Sequence, residues 1–418
     1  MSCLYTTQKL NRALKAYTAV ALITRAYFWA SLFILFFSSI VTLKQVFLLE
    51  SIYYATVFLL EVPSGYFSDK LGRKKTLILG GLLLSIAYAC FTLAYTFTLL
   101  AVAQIFLAAG FAFFSGTDTT LHYSLLESLG KQETYGSREA SLASKGLIIS
   151  ASAAIIGGLL AWIGEYRLAY ALSFTFALIN FFIITFLLVD PEIDYEDRQT
   201  PPPFFTQLRK SFKPLTQPNL RFLFIFSVGI IVLNHVPYEF YQVYFKNYLT
   251  EFPSSVSLWT GIHTTLSTLI AAYVTHHSIK LADTIGQRRT ILLATLLQAI
   301  TISFLIAQGY FLIIILLLGR SLPNAFTVPL VRRDTTPHIE PSLRATYFSM
   351  QSLLGRALFA LLLLTWGLLP GNGYTNPLIL SAILSFAFLT YLTFMNSQNP
   401  TNIDYNSPQP KEATSITS

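Results

Sequence analysis

The chain has 418 residues, of which 54% are hydrophobic, 15% aromatic and only 11% charged, with a formal net charge of +8. Soluble domains carry about 25% charged residues, so this chain lacks the polar surface to cover itself in water, and its solvent is a lipid bilayer. The positive charge does not mark a nucleic-acid partner, because the cations gather in short loops on one side of the expected spans, and Cys3 and Cys90 supply neither a disulfide framework nor a metal set.

Residues 1–16 contain no apolar h-region, so no cleaved signal peptide is expected and the first span does the targeting. Six spans are expected next: Tyr17–Val41, Val46–Ser68, Thr76–Tyr95, Thr98–Thr119, Ser141–Gly164 and Leu168–Val189, together a bundle over residues 17–189. Residues 190–219 carry an acidic run, Pro201, Pro202 and Pro203, and then Arg209, Lys210 and Lys213, which makes them a linker. A second bundle over residues 220–395 is expected from Leu220–Tyr241, Val256–Ile279, Thr290–Ala307, Tyr310–Val331, Leu343–Leu368 and Pro377–Met395. The tail, 396–418, is rich in Ser, Thr, Pro and Asn and is expected to be disordered.

Charge sets the orientation. With an inward N-terminus, the 28 Lys and Arg fall on inner loops and tails, except Lys44, Arg167 and Lys246 outside and Arg25, Arg320 and Arg356 within spans. That bias puts both termini in the cytoplasm.

The loop between the second and third spans reads Gly65-Tyr-Phe-Ser-Asp69-Lys70-Leu-Gly72-Arg73-Lys74-Lys75-Thr76. Gly65 allows close backbone approach and Gly72 can take a positive φ at a sharp reversal. The pattern returns at a constant offset as Asp283-Thr-Ile-Gly286-Gln287-Arg288-Arg289-Thr290, and Asp118-Thr119-Thr120 returns at nearly the same offset as Asp334-Thr335-Thr336. Two echoes in register argue for a duplicated half.

Gly65, Asp69, Lys70, Gly72, Arg73 and Lys74 resemble the signature between the second and third helices of the major facilitator superfamily. The resemblance implies an all-α membrane protein with twelve transmembrane helices in two pseudo-symmetric six-helix bundles. It implies a secondary active transporter of a small organic solute, leaning toward proton-coupled efflux, and neither an enzyme nor the user of a cofactor. It implies a conformational latch as well: Asp69 facing the start of span 11 near Ser342–Thr346 and Arg73 meeting Asp118, with Asp283 and Asp334 as the weaker second copy. The plainer alternative is that the basic loop is only a topology signal.

Charges inside spans point to the solute path. A central Arg costs about 2.5–3.5 kcal/mol on the insertion scale, so Arg320 and Arg356 each need a partner or a wet cavity. Either they form internal salt bridges or, with Arg25, they receive an anionic group. Trp29, Tyr241, His263, Asn324 and His235 are candidate cavity residues beside them. Glu239, four residues from His235 and so on the same helical face, is the candidate proton carrier, unless it lies at the wet outer boundary and only neutralises an Arg. Pro237 between them frees a backbone carbonyl and can kink its helix. Where family members carry an Arg in the fourth helix this chain has Gln104, the first helix lacks an acid, and the fifth offers Gly157-Gly158 without Pro.

The expected partners are a small solute, protons and the bilayer, with no nucleic acid and no metal, and the expected state is a monomer in the plasma membrane of a bacterial type. Proton-coupled uptake of an organic anion is one alternative. A lipid-modifying enzyme using His122 with Glu127 is another, although the spacing does not suit an acyltransferase pair.

Overall fold

The computed structural model describes residues 6–163, 166–191, 212–307, 310–339, 344–371 and 373–398. The acidic and Pro-rich part of the linker, Ser342 and the tail beyond Gln398 lie outside it. Everything described is helix, turn or irregular chain, without a strand.

The first half runs α1 (Thr7–Ile23), α2 (Phe33–Ser38), α3 (Leu43–Leu71), α4 (Arg73–Thr92), α5 (Phe97–Phe114), α6 (Thr117–Ser128), α7 (Tyr135–Ile163) and α8 (Tyr166–Leu187). The second runs α9 (Pro218–Tyr248), α10 (Val256–Ile285), α11 (Gln287–Ile306), α12 (Phe311–Leu317), α13 (Leu322–Thr335), α14 (Arg344–Leu368) and α15 (Thr375–Gln398). Among the described residues, 10 segments are long and apolar enough to cross a membrane. Counting the divided α1–α2 and the more polar α10, the order is consistent with twelve crossings. Large apolar side chains such as Leu59, Phe186 and Leu368 lie exposed on the rim, as a lipid solvent requires.

Three expected spans are not continuous. The first breaks across 24–32, the fourth turns at Gly116 (φ 76°), and the tenth turns across 318–321, where Arg320 sits. Irregular backbone at membrane depth persists only where protein meets its freed polar groups. In the first span, Ser150 of α7 donates to the Arg25 carbonyl at 2.9 Å, and Ser31 donates to the Ala154 carbonyl at 2.9 Å. Gln242 of α9 donates to the Ala30 carbonyl at 3.3 Å and accepts the first free amides of α2, Ile34 at 3.0 Å and Leu35 at 3.4 Å.

The seventh span, by contrast, runs unbroken through Pro237. The missing proline N–H leaves the Leu233 carbonyl free, and the side-chain amide of Gln298 on α11 donates to it at 2.8 Å. A neighbouring helix thus absorbs what would otherwise bend α9.

The halves meet through two helix pairs, α7 with α10 and α3 with α14. Gly158 and Gly261 explain the first: a Cβ on Gly158 would sit 2.5 Å from the Ser257 carbonyl oxygen, and one on Gly261 would sit 2.8 Å from that of Ala154, while one on Gly157 would overlap the Phe28 carbonyl within the first half. Only glycines let α7 touch the broken first span on one side and α10 on the other. In the second pair, Phe47 packs edge-on against Phe240 and Trp366, within a buried cluster that mixes both halves.

Candidate functional site

Between the halves lies a cavity of about 770 Å³. Its walls come from the broken first span (Arg25, Tyr27, Trp29), α3 (Tyr53, Tyr54), α9 (His235, Tyr238) and α14 (Arg356). It reaches the end of the molecule that carries Asp118, Glu139 and Arg332, which also line it. Toward the opposite end it is closed by Gln242, by the glycine contacts of α7 and by the Phe47–Phe240–Trp366 rings.

A second space of about 110 Å³ continues from its deep end, sharing Trp29, Tyr53, Tyr54 and Tyr238. Glu50 of α3 lines it, 6% exposed, and accepts a hydrogen bond of 2.7 Å from the Gln104 amide of α5.

The structure separates the expected solute-contacting residues into two groups. Arg25, Trp29, His235 and Arg356 line the large cavity. Arg25 is exposed in it and forms no ion pair among the described residues. Arg356 forms an internal salt bridge across the halves, Nη1 to Oε2 of Glu61 at 2.9 Å. The His235 Nδ1 lies 2.6 Å from the Ile231 carbonyl, which makes Nδ1 the protonated nitrogen.

Arg320, His263 and Tyr241 form a buried cluster behind the wall, not in the lining of either cavity. The Arg320 Nη1 is 2.8 Å from His263 Nδ1, its guanidinium lies 4.1 Å from the Tyr241 ring centroid, and the Tyr241 hydroxyl shares a 2.9 Å hydrogen bond with Thr264. Asn324 sits half-buried on α13 and lines neither cavity. Glu239 is not at a wet boundary: it is 1% exposed, with neither carboxylate oxygen hydrogen-bonded.

At the open end, Gly72 and Gly286 take φ of 92° and 94°, where a Cβ is strained, so the duplicated turn is real in backbone terms. Gly65 has nothing within 4 Å of where its Cβ would be, so it makes no close approach in this state. The side chain of Asp69 and its expected partners near Ser342–Thr346 are outside the described residues. Arg73 is buried but donates to Ser124, not to Asp118; Asp118 accepts the Thr119 amide at 2.7 Å and faces the cavity. The first turn of α4 is met by Asp190, whose carboxylate accepts the Lys74 amide at 3.2 Å. In the second copy, Asp334 accepts from Gln287 at 2.5 Å and from Arg333 at 2.7 Å, and Arg333 also reaches Asp283 at 2.6 Å.

Several residues escaped the sequence reading. Glu50 stood only at the expected entrance of its span; a lone acid with apolar sequence on both sides was the available signal. Glu139 pairs with His122 at 2.5 Å, whereas Glu127 does not, and the His122 ring is fully buried under Tyr17, 4.4 Å away. A buried histidine stacked this way is closed to a lipid substrate.

Two helical halves around a central cavity, closed at one end, define the class as a multi-pass membrane carrier. The sequence model of the Major Facilitator Superfamily matches residues 16–277, and the chain belongs to that superfamily. Among solved structures, it is similar to the nucleoside transporter NupG, with TM-score 0.74, 11% identity, and coverage of 93% of this chain and 99% of that one. A point mutant of NupG gives TM-score 0.73 at 13% identity, covering 92% and 99%. A bacterial homologue of the human lysosomal transporter Spinster, inward-facing and unoccupied, gives 0.66 at 15% identity, covering 94% and 97%. At such identities the likeness speaks for the fold alone. No curated protein sequence matches the chain.

Proposed function

We propose that the chain carries a small organic solute across a plasma membrane of the bacterial inner type by alternating access, as a monomer with both termini in the cytoplasm. The observation that carries this reading is the 770 Å³ cavity between the halves, open at one end and closed at the other by contacts between halves. The open end holds the basic loops, so this state faces the cytoplasm by the charge rule. Rocking one half against the other would open the Gln242 and Gly158 end and close the loop end. Asp69, Arg73 and Asp118 would then form the latch, a set of contacts that belongs to the opposite state.

The drive we assign is the proton gradient, and the direction export, following the loop resemblance. An ionised carboxylate buried without a partner is costly, and a proton removes that charge. Glu239 is such a carboxylate, with His235 one helical turn away on the cavity wall. Arg25 is the cavity cation we assign to meet an acceptor group on the solute, since Glu61 neutralises Arg356, Arg320 lies behind the wall and Arg332 stands at the open end.

The test is solute flux in proteoliposomes with and without an imposed pH gradient. Gradient-driven flux that Glu239→Gln uncouples is the expected result; flux indifferent to both would reject the proton assignment. Cysteines at Phe47 and Trp366, one in each half with rings 5.3 Å apart, should be joined by a short bifunctional thiol reagent in the cytoplasm-open state and should separate in the other. Gly158→Val should hold that end apart, because its side chain would displace the Ser257 carbonyl of the other half.

A further inference from the structure

The smaller space at the deep end of the cavity has a chemistry that the carrier reading does not use. Its acid is Glu50, with one oxygen held by Gln104 and no ion pair among the described residues. Its walls are rings: Trp29, Tyr53, Tyr54 and Tyr238 separate it from the main cavity, with Phe91 and Tyr170 behind them. Trp29 stands parallel to Tyr170, and Tyr53 is perpendicular to Tyr54 at 5.1 Å, so the box presents faces and edges at fixed angles.

Elsewhere in the protein, ring faces of this kind are already taken by its own cations. Arg320 lies over Tyr241, Arg288 over Phe222, and Arg167 over Tyr95 and Phe36. Among the described residues no Lys or Arg stands over a ring of the box. A buried acid without a counter-charge, enclosed by aromatic faces whose quadrupoles are negative, is a site where a weakly hydrated cation can take the place of the acid's proton. A volume of about 110 Å³, continuous with a larger cavity, suits a head group and not a whole solute.

We propose that the Glu50 box is the subsite for a small organic ammonium head group, methylated at nitrogen, while the rest of the solute lies in the main cavity. The proposal rests on the carrier reading and adds the charge and shape of one end of the solute. A Lys-like primary ammonium fits less well, because it is a compact, strongly hydrated charge that gives up its water reluctantly to a box walled mostly by ring carbon. A methylated ammonium needs none and gains from every ring face.

The experiment compares choline with its uncharged isostere, in which carbon replaces the ammonium nitrogen, by titration calorimetry on the purified full-length protein in detergent. Choline should bind at least about tenfold more tightly than the isostere, because only the charge distinguishes them. Glu50→Gln should remove that preference while thermal unfolding shows a folded protein. Should Glu50→Gln not fold, Trp29→Leu leaves the acid in place and should weaken choline severalfold. Equal binding of the two probes, no binding of choline, or binding unchanged in a folded variant would overturn the subsite. The Phe47–Trp366 cross-linking experiment involves no ligand, so the carrier reading stands or falls separately.

Discussion

Glu50 with Gln104 and Thr264 with Arg320 are the same two positions in the two halves, related by the offsets that relate the two loops. In the first half an amide donates to an acid at 2.7 Å, and the acid faces a cavity. In the second a guanidinium reaches a hydroxyl at 3.4 Å, sealed behind Tyr241. The repeat has kept a polar pair at midplane in each half and reversed its charge. The acidic copy therefore lines a cavity, and the basic copy serves the packing of α9, α10 and the tenth span.

The loops show the same division of labour. The two halves place their Arg at different positions: Arg73 in the loop of the first, where it donates to Ser124 and the second has Gln287, and Arg333 in the helix of the second, where it donates to Asp334 and the first has Thr117. Asp334 is fully buried between Gln287 and Arg333, whereas Asp118 faces the cavity. The second loop is satisfied within its own bundle, and the first is left available to change partners.

The largest way to break this comparison is Asp334→Ala. It takes the acceptor from Gln287 and one of two acids from Arg333, which keeps Asp283, and the expected loss is about 2–3 kcal/mol in thermal unfolding. Asp118→Ala should cost about 1 kcal/mol or less, since that carboxylate meets only the neighbouring amide. Equal losses would mean that the two loops are not differently engaged. Next, Gln287→Arg places two cations on one aspartate and should cost about 1–2 kcal/mol, with Arg333→Thr in the same chain restoring most of it. Failure of that rescue in a melting assay would show that the Arg positions are not interchangeable.

A smaller effect is expected where no counterpart exists in the first half. Gln298→Ala orphans the Leu233 carbonyl that Pro237 leaves free, for about 1 kcal/mol. The smallest concerns the midplane pairs. Arg320→Met removes a buried cation that has no acid partner, so stability should change by about 1 kcal/mol or less. Choline binding should remain at its wild-type value; a loss comparable to that of Glu50→Gln would place Arg320 on the ligand path after all.

Hydropathy alone determined that this is a multi-pass membrane protein, because a span must satisfy its backbone largely within itself and so needs a long apolar run. The recurring Gly72 and Gly286 likewise announced the two reversals, since a positive φ selects for glycine. The turns at Gly116 and at Gly319–Arg320 were marked by glycine too, although the hydropathy ran over them. The break across 24–32 was not marked, for it contains neither Gly nor Pro; its backbone is held open by Ser150 and Gln242, which come from elsewhere in the chain. Which arginine faces solute could not be read from sequence either. Arg25, Arg320 and Arg356 are all charges in apolar runs, and only packing decides that one is exposed in the cavity, one is paired with Glu61 and one lies over Tyr241. Helix rotation and the meeting of two halves are long-range outcomes, and a charge takes its role from the partner they bring to it.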